Sequence, residues 1–384
     1  VTQFALPLIV FKLSGSAVAL GIAAAMFTVP HLLFGLAIGA WTDRTDRKRL
    51  MIVVDLLSAL TVASVPVAAA LGILSVPWIV AVTFVTSTLG IFFQASEFAV
   101  LPSLVDKEQL VTANGRVAAS FSAATVLGPL IAGGLLAVLP VEWLLYGDAA
   151  TFLVSAGALA LVRRSFNAPL QKRETSIRQD IVEGLRYVLR HPVLRNISLM
   201  MALINVVQTT VWVQIVFYAK TALGAADSEV GFFFAAAGAG AFVLGLLAGP
   251  LRARFSFGNV ALGALMLSGL LTTALALTRS LWLGVIIWAF ASGFGLLFNI
   301  NTGALRQSIV PNHMLGRVIS IAMVLAWSAN PIGAIGGGFL VERLGDVRLV
   351  YAAIGLLVFV IALFFRVASP LGRAERYLGD RAAA

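Results

Sequence analysis

Apolar stretches of about twenty residues follow one another along this chain, parted by short clusters of charge. Each approaches the ~20 residues that carry a helix across a bilayer's hydrocarbon core. Lipid offers no partner to a bare backbone N–H or C=O, so such stretches must be helical. The 384 residues are 60% hydrophobic and 11% charged, where a soluble domain would carry about 25% charged residues. Mean hydropathy is +0.98. The sequence therefore predicts an all-α polytopic membrane protein.

The apolar stretches lie near 1–12, 17–41, 50–72, 77–100, 113–138 and 143–162, then near 197–219, 229–251, 258–278, 281–305, 315–340 and 347–366. That is twelve spans, as six and six. The first ends at Lys12, too short to cross, and reads as a truncated helix; it lacks the basic start and cleavage site of a signal peptide. The expected organisation is a six-helix bundle over 1–162, a cytoplasmic linker over 163–196, a second bundle over 197–366 and a cytoplasmic tail over 367–384. Within the linker, IVEGLRYVLRHPVLR puts Ile181, Leu185, Val188 and Leu189 on one face and Glu183, Arg186 and Arg190 on the other. Such a helix can lie on the lipid surface or pack beneath the bundle.

Charge supports the count. With these spans, 22 of the 27 Lys and Arg residues fall on the side that holds the central linker and the C-terminus. Cytoplasmic loops collect such residues, so both are placed in the cytoplasm of a multi-pass membrane protein. The net charge of +10 follows from the same bias and does not call for nucleic acid. There are no cysteines, and His31, His191 and His313 lie far apart. No metal or cofactor is expected. No GxxxxGK[ST] loop for ATP and no convergent nucleophile–base set for an enzyme is visible.

The two halves repeat. Asn114-Gly115-Arg116-Val117 leads into GPLIAGG, as Leu315-Gly316-Arg317-Val318 leads into NPIGAIGGG. Spans five and eleven are copies, and the halves are parallel repeats.

Three patterns carry chemistry. Between spans two and three the chain reads GAWTDRTDRKR, a charged turn in which Asp43 can accept charge-assisted hydrogen bonds. In span five, Gly115, Ala124, Gly128, Pro129, Ala132 and Gly133 form a ladder of small residues that lets helices touch. Gln3, Gln94, Asn205, Gln208, Gln214, Asn299 and Asn301 fall on spans one, four, seven and ten, and Asn330 on span eleven. An amide facing lipid is costly, so these should face an interior or a watery cavity. Trp212, Phe217, Phe294 and Phe298 share those helices and can stack on a lipophilic molecule. Asp55, Glu97 and Asp148 are acids within apolar spans, and such groups are functional candidates. Glu97 could titrate or pair with Arg47; Asp148 could carry protons or bond a neighbouring helix.

These motifs resemble the major facilitator superfamily of secondary transporters. Gly39, Asp43, Arg44, Arg47 and Lys48 match its loop between helices two and three, with Asp46 where the pattern has glycine. The copy in the second half, GPLRARF, has Ala253 in place of the acid. The ladder in span five is similar to the superfamily's exporter motif, and LPSLVDKEQLVTANGRV and EGLRYVLRHPVLR are of the kind seen in its bacterial macrolide and siderophore exporters. The resemblance implies a fold of two six-helix bundles rocking about a midplane cavity. It further implies a monomeric exporter of small amphipathic molecules, driven by proton antiport. Substrate contacts would come from Gln3, Gln94, Asn205, Gln208, Trp212, Gln214, Phe298, Asn299 and Asn301. The loop would latch the cytoplasmic face, and Glu97, Asp148 or Asp55 would carry the proton. A lipid or lysolipid flippase of the same fold is the alternative.

Overall fold

The computed structural model describes residues 2–42, 45–104, 138–163, 177–310 and 315–377, with scattered positions between 117 and 136 and at 166. Helices α1 (Thr2–Ser14), α2 (Ala17–Thr42), α3 (Arg47–Ala70), α4 (Val76–Leu104) and α5 (Val141–Leu161) precede the linker. After it come α6 (Ile177–Arg190), α7 (Pro192–Val213), α8 (Ile215–Ala222), α9 (Asp227–Arg254), α10 (Gly263–Leu277, entered through a π-helical turn at Gly258–Leu262), α11 (Leu281–Ile309), α12 (Leu315–Trp327), α13 (Asn330–Leu344) and α14 (Val347–Ala368). Among the described residues there is no strand. Ten helical stretches among them are long and apolar enough to cross a membrane, and α1 is a shorter apolar helix. The expected fifth span, 113–138, lies largely outside the described residues.

Two compact units emerge, residues 1–172 with 226–231, and residues 173–225 with 232–384. In the first, α3 packs on α4 and α5, α2 packs on α4, and α1 contacts α2, α4 and α5. Lys12 pairs with Asp227 at 2.6 Å. In the second, α10 packs on α11 and α14, and α7 on α13 and α14. The third helix of each half thus meets the fourth and sixth of its own half, as a parallel repeat requires.

Local chemistry sets several boundaries differently from the apolar count. The seventh span begins at Pro192 rather than near 197, because proline suits the first helical position and His191 caps the N-terminus. It then breaks at Gln214, whose N–H still bonds Thr210 O at 2.9 Å before α8 resumes the path. The eleventh span, expected as one helix, is two. Pro331 has no N–H to offer the preceding turn, and the helix is interrupted between Trp327 and Asn330. Asp46, the departure from the family loop, is the N-cap of α3 and accepts from Arg49 N at 2.9 Å. Span ten runs on to Ile309, so Arg306 is a buried helical residue donating to Met201 Sδ at 3.1 Å, not a loop cation.

The linker helix α6 packs on α7 and α12. Val188 is buried, but Leu189, expected on the same inner face, is exposed. Tyr187 stacks on His191. Burial pushes the His191 imidazole below its ordinary value of 6.5, and its Nδ1 accepts from Leu194 N. A group with a lowered folded pKa stabilises fully above its unfolded pKa and loses that contribution as pH falls through the folded one. Thermal unfolding should therefore shift downward between about pH 7.5 and about pH 5.5, across the ordinary histidine range. His191→Gln, which can cap without titrating, should shrink that shift; an equal shift in the variant contradicts this assignment.

Candidate functional site

The charged turn is partly described. Gly39 lies in α2, and Asp43 and Arg44 lie outside the described residues. Arg47 is buried at the start of α3. Lys48 reaches across to the end of α5, where its Nζ donates to Ala160 O at 3.0 Å and Val162 O at 2.6 Å. Those carbonyls end a helix and have no intrahelical partner, and a cation there also suits the helix dipole. Lys48 therefore clasps α3 to α5 within the first unit.

The small-residue ladder is described only at Ala124, Gly128 and Ala132; Gly115, Pro129 and Gly133 lie outside. Among the described residues, a Cβ at position 128 would meet nothing within 4 Å. Its repeat in the second half is crowded instead. A Cβ on Gly333 would stand 2.2 Å from Val206 O, and one on Gly337 2.0 Å from Thr210 Oγ1. Bare backbone is what lets α13 lie against α7 there.

The carboxamides divide into two groups. Gln94 and Asn299 are exposed, and Asn299 Nδ2 bonds only its own helix at Gly295 O. Trp212 is 43% exposed and meets Trp288 edge-on at 4.8 Å. Asn205 and Gln208 are half-buried, donating to Ala326 O at 2.9 Å and Ser268 Oγ at 3.4 Å. The Asn205 bond lands just before the interruption in the eleventh span, and beside it Thr209 donates to Asn330 Oδ1 at 3.0 Å. Gln214, Phe298 and Asn301 are buried within the second unit, with Asn301 bonding Leu297 O of its own helix. Gln3 sits in α1. Position along a span could not tell an open amide from one absorbed by packing.

The three acids separate as sharply. Glu97 is exposed. Asp148 accepts from the Thr2 N–H at 3.1 Å and from the Thr2 hydroxyl, which joins α5 to α1. Asp55 is 3% exposed, takes a hydrogen bond from Ser155 of α5, and has one oxygen without a partner. A cavity of about 580 Å³ lies at the opposite end of the same helices, lined by Pro66, Ala69, Ala70, Pro140, Glu142, Trp143 and Tyr146. None of the expected substrate residues lines it. Among the described residues no group of His, Asp and Glu could hold a metal.

The profile of a family described as transmembrane secretion effectors, within the major facilitator superfamily, matches residues 1–377. The chain belongs to that superfamily. Multidrug efflux pump Tap of Mycolicibacterium fortuitum is 30% identical over 363 residues, covering 90% of this chain and 86% of Tap. Macrolide efflux protein A of Streptococcus pyogenes is 25% identical over 360 residues, with the same coverage of each. Enterobactin exporter EntS of Escherichia coli O1:K1 is 28% identical over 243 residues, 62% of this chain and 56% of EntS. Among solved structures, an inward-facing bacterial homologue of the lysosomal transporter Spinster superposes with a TM-score of 0.73 at 15% identity, covering 98% and 93% of the two chains. A bacterial homologue of the iron transporter ferroportin gives 0.71 at 19%, covering 94% and 93%. These establish the major facilitator fold. The protein is a multi-pass membrane transporter with efflux pumps among its relatives, and not an enzyme.

Proposed function

We propose that this transporter exports small amphipathic molecules from the bacterial cytoplasm by proton antiport and alternating access, as a monomer with its C-terminus inside. The match with Tap along 90% of the chain supports export. The observation that carries the reading is the set of three acids within apolar helices, one of them buried without a counter-ion. Proton coupling needs a carboxyl that alternates between dry and wet surroundings, and an acid within an apolar helix is a candidate for it. Glu97, Asp148 and Asp55 are the candidates. Gln94 of the first unit and Trp212 and Asn299 of the second are exposed and are the proposed substrate contacts, joined by half-buried Asn205 and Gln208. Buried Gln214, Phe298 and Asn301 shape the helices that present those of the second unit, and Gln3 completes the set on the first helix. Gly39, Asp43, Arg44, Arg47 and Lys48 form the cytoplasmic latch, and Gly115, Ala124, Gly128, Pro129 and Gly133 the helix seam.

Substrate class is tested by competition in proteoliposomes, with ethidium and a fluorescent lysolipid as rival cargoes. Ethidium should be carried and the lysolipid ignored. Trp212→Ala and Asn299→Ala should each raise the ethidium KM by about tenfold, the loss expected on removing one stacking or polar contact of ~1.4 kcal/mol. Transport of the lysolipid alone would make this a flippase.

A further inference from the structure

Asp55 lies in the α3–α5 seam of the first unit, with Ser155 as its one hydrogen-bond donor and its Oδ2 unpartnered. One turn nearer the start of α3, Met51 packs with Val100 of α4 and Phe166 in a buried apolar cluster flanked by Phe93, Leu104, Leu159 and Val162. Beyond that plug, Lys48 holds the end of α5. Seven residues part Lys48 from Asp55, about 10 Å along the helix. The seam thus runs from a basic clasp through an apolar plug to a sealed carboxyl.

The charged groups around Asp55 leave it without a counter-ion. On α3 these are Arg47, Lys48 and Arg49. On α5 they are Asp148, which is bound to Thr2, and Glu142 at the far end. On α4 the ionisable group is Glu97, which is exposed. No salt bridge to Asp55 exists among the described residues. An ionised carboxylate in such a place costs several kcal/mol without a partner cation. A neutral carboxyl fits the contacts seen, its carbonyl oxygen accepting from the Ser155 hydroxyl.

We propose that Asp55, rather than Glu97 or Asp148, carries the exchanged proton, holding it in the closed α3–α5 seam and releasing it to water when the Met51–Val100–Phe166 plug parts. Release leaves a carboxylate and a hydronium ion on the cytoplasmic side. The carboxylate takes up its next proton from the outer side of the membrane, so that one proton moves inward in each cycle. This inference rests on the proton-antiport reading above.

The test uses the full-length protein in lipid nanodiscs and proteoliposomes. Infrared difference spectra between acid and alkaline buffer should contain a protonated-carboxyl band that Asp55→Asn removes, Asp55→Glu restores and Ser155→Ala shifts. Phe166→Ser, by opening the plug, should speed hydrogen–deuterium exchange at that band. In proteoliposomes, the ratio of pH-gradient-driven ethidium accumulation to ethidium exchange should fall at least tenfold in Asp55→Asn and recover in Asp55→Glu. Wild type that responds to the gradient while the band survives in Asp55→Asn, or while the ratio is unchanged there, overturns Asp55 alone. Wild type that ignores the gradient overturns the antiport reading and this proposal together. If Asp55→Asn does not fold, the Glu, Ser155 and Phe166 variants decide by the same band.

Discussion

Gly333→Val and Gly337→Val are expected to abolish the folded second unit, leaving aggregate where wild type elutes as one species. A Cβ at position 333 would already sit 2.2 Å from the Val206 carbonyl oxygen of α7, and one at position 337 would sit 2.0 Å from Thr210 Oγ1. Neither neighbour can yield easily. Val206 O belongs to a helix, and Thr210 is buried, β-branched and hydrogen-bonded to Gly333 O at 2.9 Å. Overpacking a close contact costs about 3 kcal/mol or more, a large share of a typical net stability of about 5–15 kcal/mol. The two sites also differ in how they can be rescued. Thr210→Ala removes Oγ1 and Cγ2, the two nearest atoms that a Cβ at position 337 would strike, but leaves Thr210 Cβ at 2.6 Å, so it should restore Gly337→Ala in part. It should not restore Gly333→Ala, whose obstacle is backbone. Equal rescue at both would contradict the packing described, and a double-mutant cycle read by thermal unfolding measures the difference.

The second large effect is expected at the charged turn. Asp43→Asn removes one charge with little change of shape, and Arg47→Ala removes a buried guanidinium. A hydrogen bond to a charged group contributes about 1.5–3 kcal/mol, and ~1.4 kcal/mol is tenfold in rate. If the turn latches one conformation, Asp43→Asn should cut ethidium efflux per folded molecule by about tenfold or more without lowering the melting temperature. Arg47→Ala should lower both, since its side chain is packed. Wild-type efflux in Asp43→Asn would reduce the turn to an orientation signal, the other thing clustered basic residues do.

Much of this architecture is legible in the sequence because the bilayer imposes so strict a rule. Spans two, three, four and six reappear as α2 to α5, and the repeat is visible in the matching packing of α3 and α10. What escaped was set by local chemistry that apolar counting ignores. The interruption before Pro331 and the cap at His191-Pro192 had signals in the sequence; the break at Gln214 had neither glycine nor proline to mark it. Asp46 read as an intruder in a motif, although an aspartate just before a helix is an ordinary N-cap. Arg306 falls just past the expected end of span ten, because charge was taken to end a span.

The acids show the limit most clearly. Position within apolar runs left Glu97, Asp148 and Asp55 all as candidates, with Glu97 on a span expected to face the cavity. Burial and partners rank Asp55 first, because Glu97 is exposed and Asp148 is occupied by Thr2. Sequence gives the depth of a residue along a helix, but the direction it faces depends on neighbours that are far away in the chain.

Proton-driven export is tested most directly in everted membrane vesicles carrying only this transporter. With an acid-inside gradient imposed and no ATP, ethidium should accumulate in the lumen and discharge when an ionophore collapses the gradient. Uptake that is the same with and without the gradient would contradict the account.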